Sequence, residues 1–166
     1  MVASWRPEAG TTLGGRFAIL RALGVGPYGV VLSAQDQRLD EPVVVKCFHP
    51  RLFSGPARET NLFRLQRARG FVHEHVVRLV DVVVEPDRIA VVQAPPEGDT
   101  LEAWALRHGP IDQAASLAIA EQIGQALAWI HQMGAHGNLR PWTVRIAGPL
   151  ADPRVQVDDP WYLRWD

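Results

Sequence analysis

The sequence has only one cysteine and only one lysine. The first excludes two kinds of site, and the second draws attention to a single residue. A single thiol, Cys47, can form neither an intramolecular disulfide nor a cluster of thiolates around a metal. Because Cys47 lies in an apolar run, we expect it to be buried and chemically silent. Lys46 is the only lysine, although the chain has 17 lysine and arginine residues in all. This makes Lys46 a candidate for a specific role.

The sequence also lacks an excess of charge and any long apolar run. The 166 residues carry a formal net charge of −1, and 47% of them are hydrophobic, as in ordinary globular proteins. Bulk electrostatics therefore favours neither nucleic acid nor an anionic membrane. No apolar run reaches the ~18 residues that cross a bilayer, and the amino terminus lacks a secretory pattern. We expect a cytoplasmic protein that binds neither nucleic acid nor membranes.

The order of local patterns predicts an α+β fold. Strand patterns cover residues 17–32, 42–48, 76–84 and 88–93, and recur around 144–146 and 155–157. Helical spacing covers 57–69, 100–108 and 112–133, the last from an Asp112 cap to Gly134. Pro95 and Pro96 exclude helix and ladder pairing, so 94–98 is predicted to be a linker. We therefore predict an extension (1–12), a β-rich lobe (13–93), a hinge (94–98) and a helical lobe (99–166).

A glycine-rich hairpin carries the first motif. Gly24, Gly26 and Gly29 precede Val31 in the pattern G-x-G-x-x-G-x-V. Glycines of this kind let backbone amides approach phosphate oxygens without a Cβ in the way. Taken alone, a plain hairpin explains the pattern equally well.

Further motifs follow in order, and together they resemble one family. These are Val43-Val44-Val45-Lys46, His73-Glu74-His75-Val76-Val77, Gly98-Asp99-Thr100-Leu101 and His136-Gly137-Asn138-Leu139-Arg140-Pro141. They resemble the V-A-I-K, H-P-x-I-V, G-G-T-L and H-R-D-L-K-P segments of bacterial Hanks-type Ser/Thr protein kinases. The resemblance covers about residues 13–161. It implies a kinase-like fold: a β-rich N-lobe with one regulatory helix and a truncated helical C-lobe that ends just after the D-F-G position.

The catalytic positions implied by the resemblance are altered. Asn138 stands where the family has the aspartate that accepts the substrate proton, and an amide has no basic lone pair near neutral pH. Arg140 replaces the motif's lysine. Thr143 replaces the asparagine that binds the second magnesium, and is a poorer ligand. Trp142 beside it is expected in the core.

The segment at the metal-binding D-F-G position is also altered. Asp159 would be its aspartate, but Pro160 and Trp161 follow it. Tryptophan removes the freedom that glycine gives this loop. A vestigial one-metal site at Asp159 is one interpretation, and a capped Asp-Pro turn is the other.

The hinge and the regulatory helix complete the departures. When Gly98 is aligned with the family's G-G-T-L segment, Gln93 falls at the gatekeeper position, followed by Ala94. Pro96 then falls where a backbone N–H donates to adenine in the family. Proline has no N–H. Val44 replaces the small alanine above the ring. Counting back from His73 places Arg64 at the regulatory glutamate's position, and Glu59 lies more than a turn earlier.

These residues favour a pseudokinase module that signals by contact between proteins and needs no cofactor. It would bind another protein or a second copy of itself through helix 112–133, apolar nearly all round, and the C-terminal tail. One alternative is a Ser/Thr kinase fragment that uses ATP and magnesium through Lys46 and Asp159. The other is a homodimerisation domain.

Overall fold

The computed structural model describes residues 6–26, 28–70, 72–132 and 134–159. The chain divides into two compact units. The first contains the described residues up to Gly70 together with Leu79–Pro95. The second contains residues 72–78 and the described residues from Pro96 onwards. Each unit is described by itself.

The first unit is a six-stranded antiparallel sheet with one helix. Its strands are β1 (Thr12–Leu13), β2 (Phe17–Gly26), β3 (Gly29–Asp36), β4 (Glu41–Phe48), β5 (Leu79–Val84) and β6 (Ile89–Gln93). Their order in the sheet is β1-β2-β3-β4-β6-β5. A 3-10 turn, Pro50–Phe53, leads into α1 (Ala57–Ala68). The predicted strand 76–84 was too long, because Val76 pairs instead with Val157.

The two ends of this sheet are linked by polar contacts. The amide of Gly14, after β1, donates to Glu85 Oε1 at 2.8 Å, just beyond β5. Arg16 Nε donates to Asp36 Oδ1 at 2.9 Å, and its Nη1 lies 3.4 Å from Asp81 Oδ2. Asp36 is fully buried, and Arg16 lowers the pKa of that carboxyl to about 2. The apolar core beneath includes Leu13, Phe17, Ile19, Val30, Leu32, Val45, Cys47 and Val92.

The second unit combines a small sheet with two helices. Its elements are β7 (Asp99–Thr100), α2 (Leu101–His108), α3 (Gln113–Ile130), β8 (Val144–Ala147) and β9 (Arg154–Val157). The sheet order is β7-β8-β9, all antiparallel. Residues 72–78 join this unit because Val77 donates its amide to the Val157 carbonyl at 3.0 Å. The outer edge of β9 is therefore not open.

The long helix α3 begins where the sequence predicts. Asp112 Oδ1 accepts a hydrogen bond from the Ala115 amide at 2.9 Å, which caps the first turn. The helix ends at Ile130, earlier than predicted, and Met133 lies outside the described residues. Only one face is buried, by Ala115, Ile119, Ala126 and Ile130. On the opposite face Leu117 is 64% exposed within the described chain, which is the side predicted to contact a partner or the C-terminal tail.

Candidate functional site

The glycine-rich hairpin joins β2 to β3, and Gly26 pairs directly with Gly29. A Cβ at Gly29 would lie 2.0 Å from the Cys47 carbonyl oxygen, so no larger residue fits there. A Cβ at Gly24 or Gly26 would meet nothing within 4 Å. The fold therefore requires the third glycine and leaves space at the first two. Pro27 lies outside the described residues.

Four predicted site residues share one face of the sheet. Val44 and Lys46 lie two residues apart on β4, so their side chains point to the same side. Val44 pairs with Gln93 of β6, and Lys46 pairs with Val31 of β3. Directly paired residues of antiparallel strands project from the same face. The structure thus brings together Val31, Val44, Lys46 and Gln93. Ala94 and Pro96 follow in a segment without regular structure.

Cys47 lies on the opposite face of β4 and belongs to the core, as expected. Burial raises the pKa of its thiol to about 12. A thiol with such a pKa carries almost no thiolate near neutral pH, and the thiolate is the reactive form. This residue is therefore a packing residue.

Helix α1 presents an amide, and no carboxylate, on its buried face. That face contains Ala57, Asn61, Leu65 and Ala68 at helical spacing. Asn61 is fully buried, and its Nδ2 donates to the Leu52 carbonyl. Glu59, the only acid of α1, is exposed, and Arg64 is half-buried. The sequence interpretation missed Asn61, although its i, i+4 spacing from Ala57 and Leu65 marks it as inward-facing.

His136 holds the loop that contains Asn138 against the end of β9. Its Nε2 lies 2.8 Å from the Asp158 carbonyl oxygen, which can only accept, so Nε2 carries the proton. Its Nδ1 accepts from the Asn138 amide at 3.2 Å. Burial lowers the pKa of His136, which favours the neutral ring that both bonds require. Sequence reasoning used His136 only as part of a motif.

The hydroxyl of Thr143 forms its hydrogen bonds within its own loop. Thr143 is buried, and its Oγ1 accepts from the Arg140 amide at 2.9 Å. The same oxygen lies 3.1 Å from the Asn138 carbonyl and 3.0 Å from the Arg140 carbonyl, to either of which it can donate. The Thr143 carbonyl accepts from the Asp158 amide at 2.7 Å. This residue therefore braces the loop internally.

The outer side of this loop is exposed. Trp142 is 52% exposed, so the prediction that it belongs to the core was wrong. Leu139 and Arg140 are also exposed, whereas Asn138 is half-buried. Gly137, at the arginine position of the H-R-D motif, has a φ of 71°, a conformation that strains other side chains. Sequence reasoning did not use this substitution.

The acidic pair after β9 is linked by a local hydrogen bond. Asp158 is buried, and its Oδ1 accepts from the Asp159 amide at 2.8 Å. Asp159 itself has a φ of 55°. Across the described residues, no group of three or more His, Cys, Asp or Glu side chains is placed to hold a metal ion. The substituted positions Pro160 and Trp161 lie outside the described residues.

Comparison with known proteins identifies the family. The sequence pattern of the protein kinase domain matches residues 17–141. This chain belongs to the protein kinase domain family. Its relatives include Ser/Thr-protein kinase pkn2 of Myxococcus xanthus, 33% identical over 149 residues, and PrkC of Bacillus subtilis, 31% identical over 140. The matches cover 89% and 82% of this chain, but only 18% and 22% of those kinases.

Solved structures confirm the fold. The kinase domain of Mycobacterium tuberculosis PknI superimposes with a TM-score of 0.79 at 21% identity. The match covers 95% of this chain and 64% of that domain. The predicted α+β kinase fold, with a β-rich N-lobe, one helix and a partial C-lobe, is therefore correct. None of the described helices is both long and apolar enough to cross a membrane.

Proposed function

We propose that this chain is a catalytically inactive kinase-like module that acts in signalling through protein contacts. The observation that carries the proposal is Asn138 at the position of the proton acceptor. An amide cannot take the proton of a substrate hydroxyl. Loss of a general base costs about 10²–10⁴ in rate.

The hydrogen bonds of the Thr143 hydroxyl support the same proposal. Transfer in this family needs metal ions held beside the phosphates. A threonine hydroxyl is already a weak ligand for magnesium, and here its oxygen accepts from the Arg140 amide while its proton is directed at the carbonyl of Asn138 or of Arg140. A metal would have to break these bonds.

The groups expected to hold ATP also fit it poorly. Pro96 offers no N–H to a purine, and an acceptor left unpaired in an apolar slot costs about 1–3 kcal/mol. The buried face of α1 contains the amide of Asn61 and no carboxylate. We therefore propose weak or no ATP binding, with no cofactor, and we derive no chemical step through ATP or magnesium.

The decisive experiment offers the whole chain radiolabelled ATP, magnesium and myelin basic protein. We expect no more label on that substrate than with Lys46→Ala. Mg-ATP should also leave the melting temperature unchanged, because a ligand that binds only the native state would raise it. Label that depends on Lys46 would support the alternative of an active Ser/Thr kinase fragment.

The proposed contact face is the exposed side of α3. It contains Leu117, Ala120, Gly124 and Ala128, and its only charge is Glu121. Another protein or a second copy of this chain would cover it, and the C-terminal tail proposed to assist lies outside the described residues. Light scattering at low and high protein concentration separates these cases. Mass that rises with concentration indicates a second copy, and a constant monomer mass indicates a different protein.

A further inference from the structure

A cleft of about 170 Å³ lies within the second unit, at the outer side of β9. Its polar lining comes from three parts of the chain: Glu74 and His75, then Glu97, then Arg154 and Gln156. None of these residues belongs to the catalytic or nucleotide positions considered above. The cleft is therefore a separate feature.

The orientation of His75 determines which of its two ring nitrogens can accept a hydrogen bond. Its Nδ1 lies 3.0 Å from the Val155 carbonyl oxygen, which can only accept, so the neutral ring carries its proton on Nδ1. The other nitrogen, Nε2, then has a free lone pair and lies 4.0 Å from Glu74 Oε1. The side chain of His75 is only 14% exposed, so the ring is held in place. Two acceptors thus stand side by side.

The third acceptor, Glu97, already binds a guanidinium of this chain. Its Oε2 lies 3.2 Å from Arg154 Nη2, and its amide donates to Gln156 Oε1 at 3.3 Å. The side chains of Glu97 and Arg154 are 58% and 70% exposed. Exposed ion pairs of this kind contribute little, about 0–1 kcal/mol, so an incoming cation can replace Arg154.

We propose that this cleft binds an arginine side chain from a basic segment of a partner protein. A guanidinium has five N–H donors in a planar fork, which suits the two carboxylates and the imidazole nitrogen. The inference rests on the proposed function, in that it names the chemistry of the partner. The contact of Glu97 with Arg154 shows that this chemistry is accommodated here.

The test measures fluorescence anisotropy with a fluorescein-labelled eight-residue peptide that contains two arginines. A peptide with glutamates in their place is the negative probe. Glu74→Gln and Glu97→Gln should each weaken binding by about two- to fivefold. Arg154→Ala should strengthen it by a similar factor, because it removes the internal competitor.

Glu102→Gln is the matched control, since it removes the same charge from an exposed position of α2 outside the cleft. It should leave binding unchanged. The idea fails if the arginine peptide does not bind, if Glu102→Gln weakens binding as much as the cleft variants, or if Arg154→Ala does not strengthen it. Circular dichroism checks that each variant is folded. Phosphate transfer is measured separately, so failure here leaves the test of catalytic inactivity intact.

Discussion

At the scale of single residues, the loop from Asn138 to Thr143 shows two different kinds of change. Asn138 carries an amide, which cannot accept a proton near neutral pH, and this follows from covalent chemistry alone. Thr143 has a structural role, because its hydroxyl accepts from the Arg140 amide and can donate to the carbonyl of Asn138 or of Arg140. The side chain of Thr143 therefore stabilises the loop.

Replacement of Thr143 by valine tests this bracing. Valine keeps the shape but leaves a buried amide and a carbonyl without their partner, so we expect a loss of about 1–3 kcal/mol in the free energy of unfolding. Thr143→Ser keeps the hydroxyl and should lose only about 0.8 kcal/mol, for one methyl group. Urea denaturation measures both. A valine variant as stable as the serine variant would contradict a bracing role.

At the scale of elements, the β2–β3 hairpin contains one glycine that the fold requires and two that it does not. Gly29 faces the backbone of β4 at a distance that excludes any Cβ, whereas Gly24 and Gly26 face open space. Gly29→Ala should therefore cost about 3–5 kcal/mol, the upper range for single substitutions. Gly24→Ala should change stability by no more than about 0.5 kcal/mol. Thermal melts of the two variants decide this, and equal losses would refute the assignment.

The elements also differ in how much of them is packed. Helix α1 buries the amide of Asn61, whereas Arg64, which aligns with the family's regulatory glutamate, is half-buried. Helix α3 buries one face and exposes Leu117 on the other. Both helices thus retain the packing that builds a kinase fold. The positions that this packing leaves exposed are those that catalysis or a contact with another protein would use.

At the scale of the whole molecule, the chain has the kinase fold but matches only 64% of the PknI kinase domain. The strands of its first unit are linked by a buried ion pair, Arg16 with Asp36. The guanidinium of Arg16 lowers the pKa of Asp36 from 3.8 to about 2. The folded state therefore holds this carboxylate ionised more strongly than the unfolded chain does.

The stabilisation from this pair should be complete above about pH 4 and disappear as the pH falls towards about 2. Thermal melts from pH 7 to pH 2 should show Asp36→Asn with a lower melting temperature at neutral pH and a flatter decline below pH 4. Glu41→Gln, which removes an exposed carboxylate from the same sheet, should follow the unaltered protein. A decline in Asp36→Asn as steep as in the unaltered protein would rule out this origin.

Local patterns predicted most of the elements correctly. The Asp112 cap, the strand before Lys46 and the end of β6 at Gln93 all depend on neighbours in the chain, and all were found. Only the start of the strand predicted over 76–84 was wrong, because Val76 pairs with Val157, about 80 residues away, and the strand begins at Leu79. The prediction that Trp142 lies in the core was wrong, because the exposure of a side chain depends on which elements surround it.

The sequence by itself determined which side chains stand at the positions aligned with the family's catalytic motifs. An amide at position 138, a proline at position 96 and a single thiol are covalent facts that no fold can change. Only the tertiary structure decided that the Thr143 hydroxyl is bonded within its own loop and that Glu74, Glu97 and Arg154 share a cleft. Burial and pairing depend on distances between residues far apart in the chain, and sequence periodicity does not encode those distances.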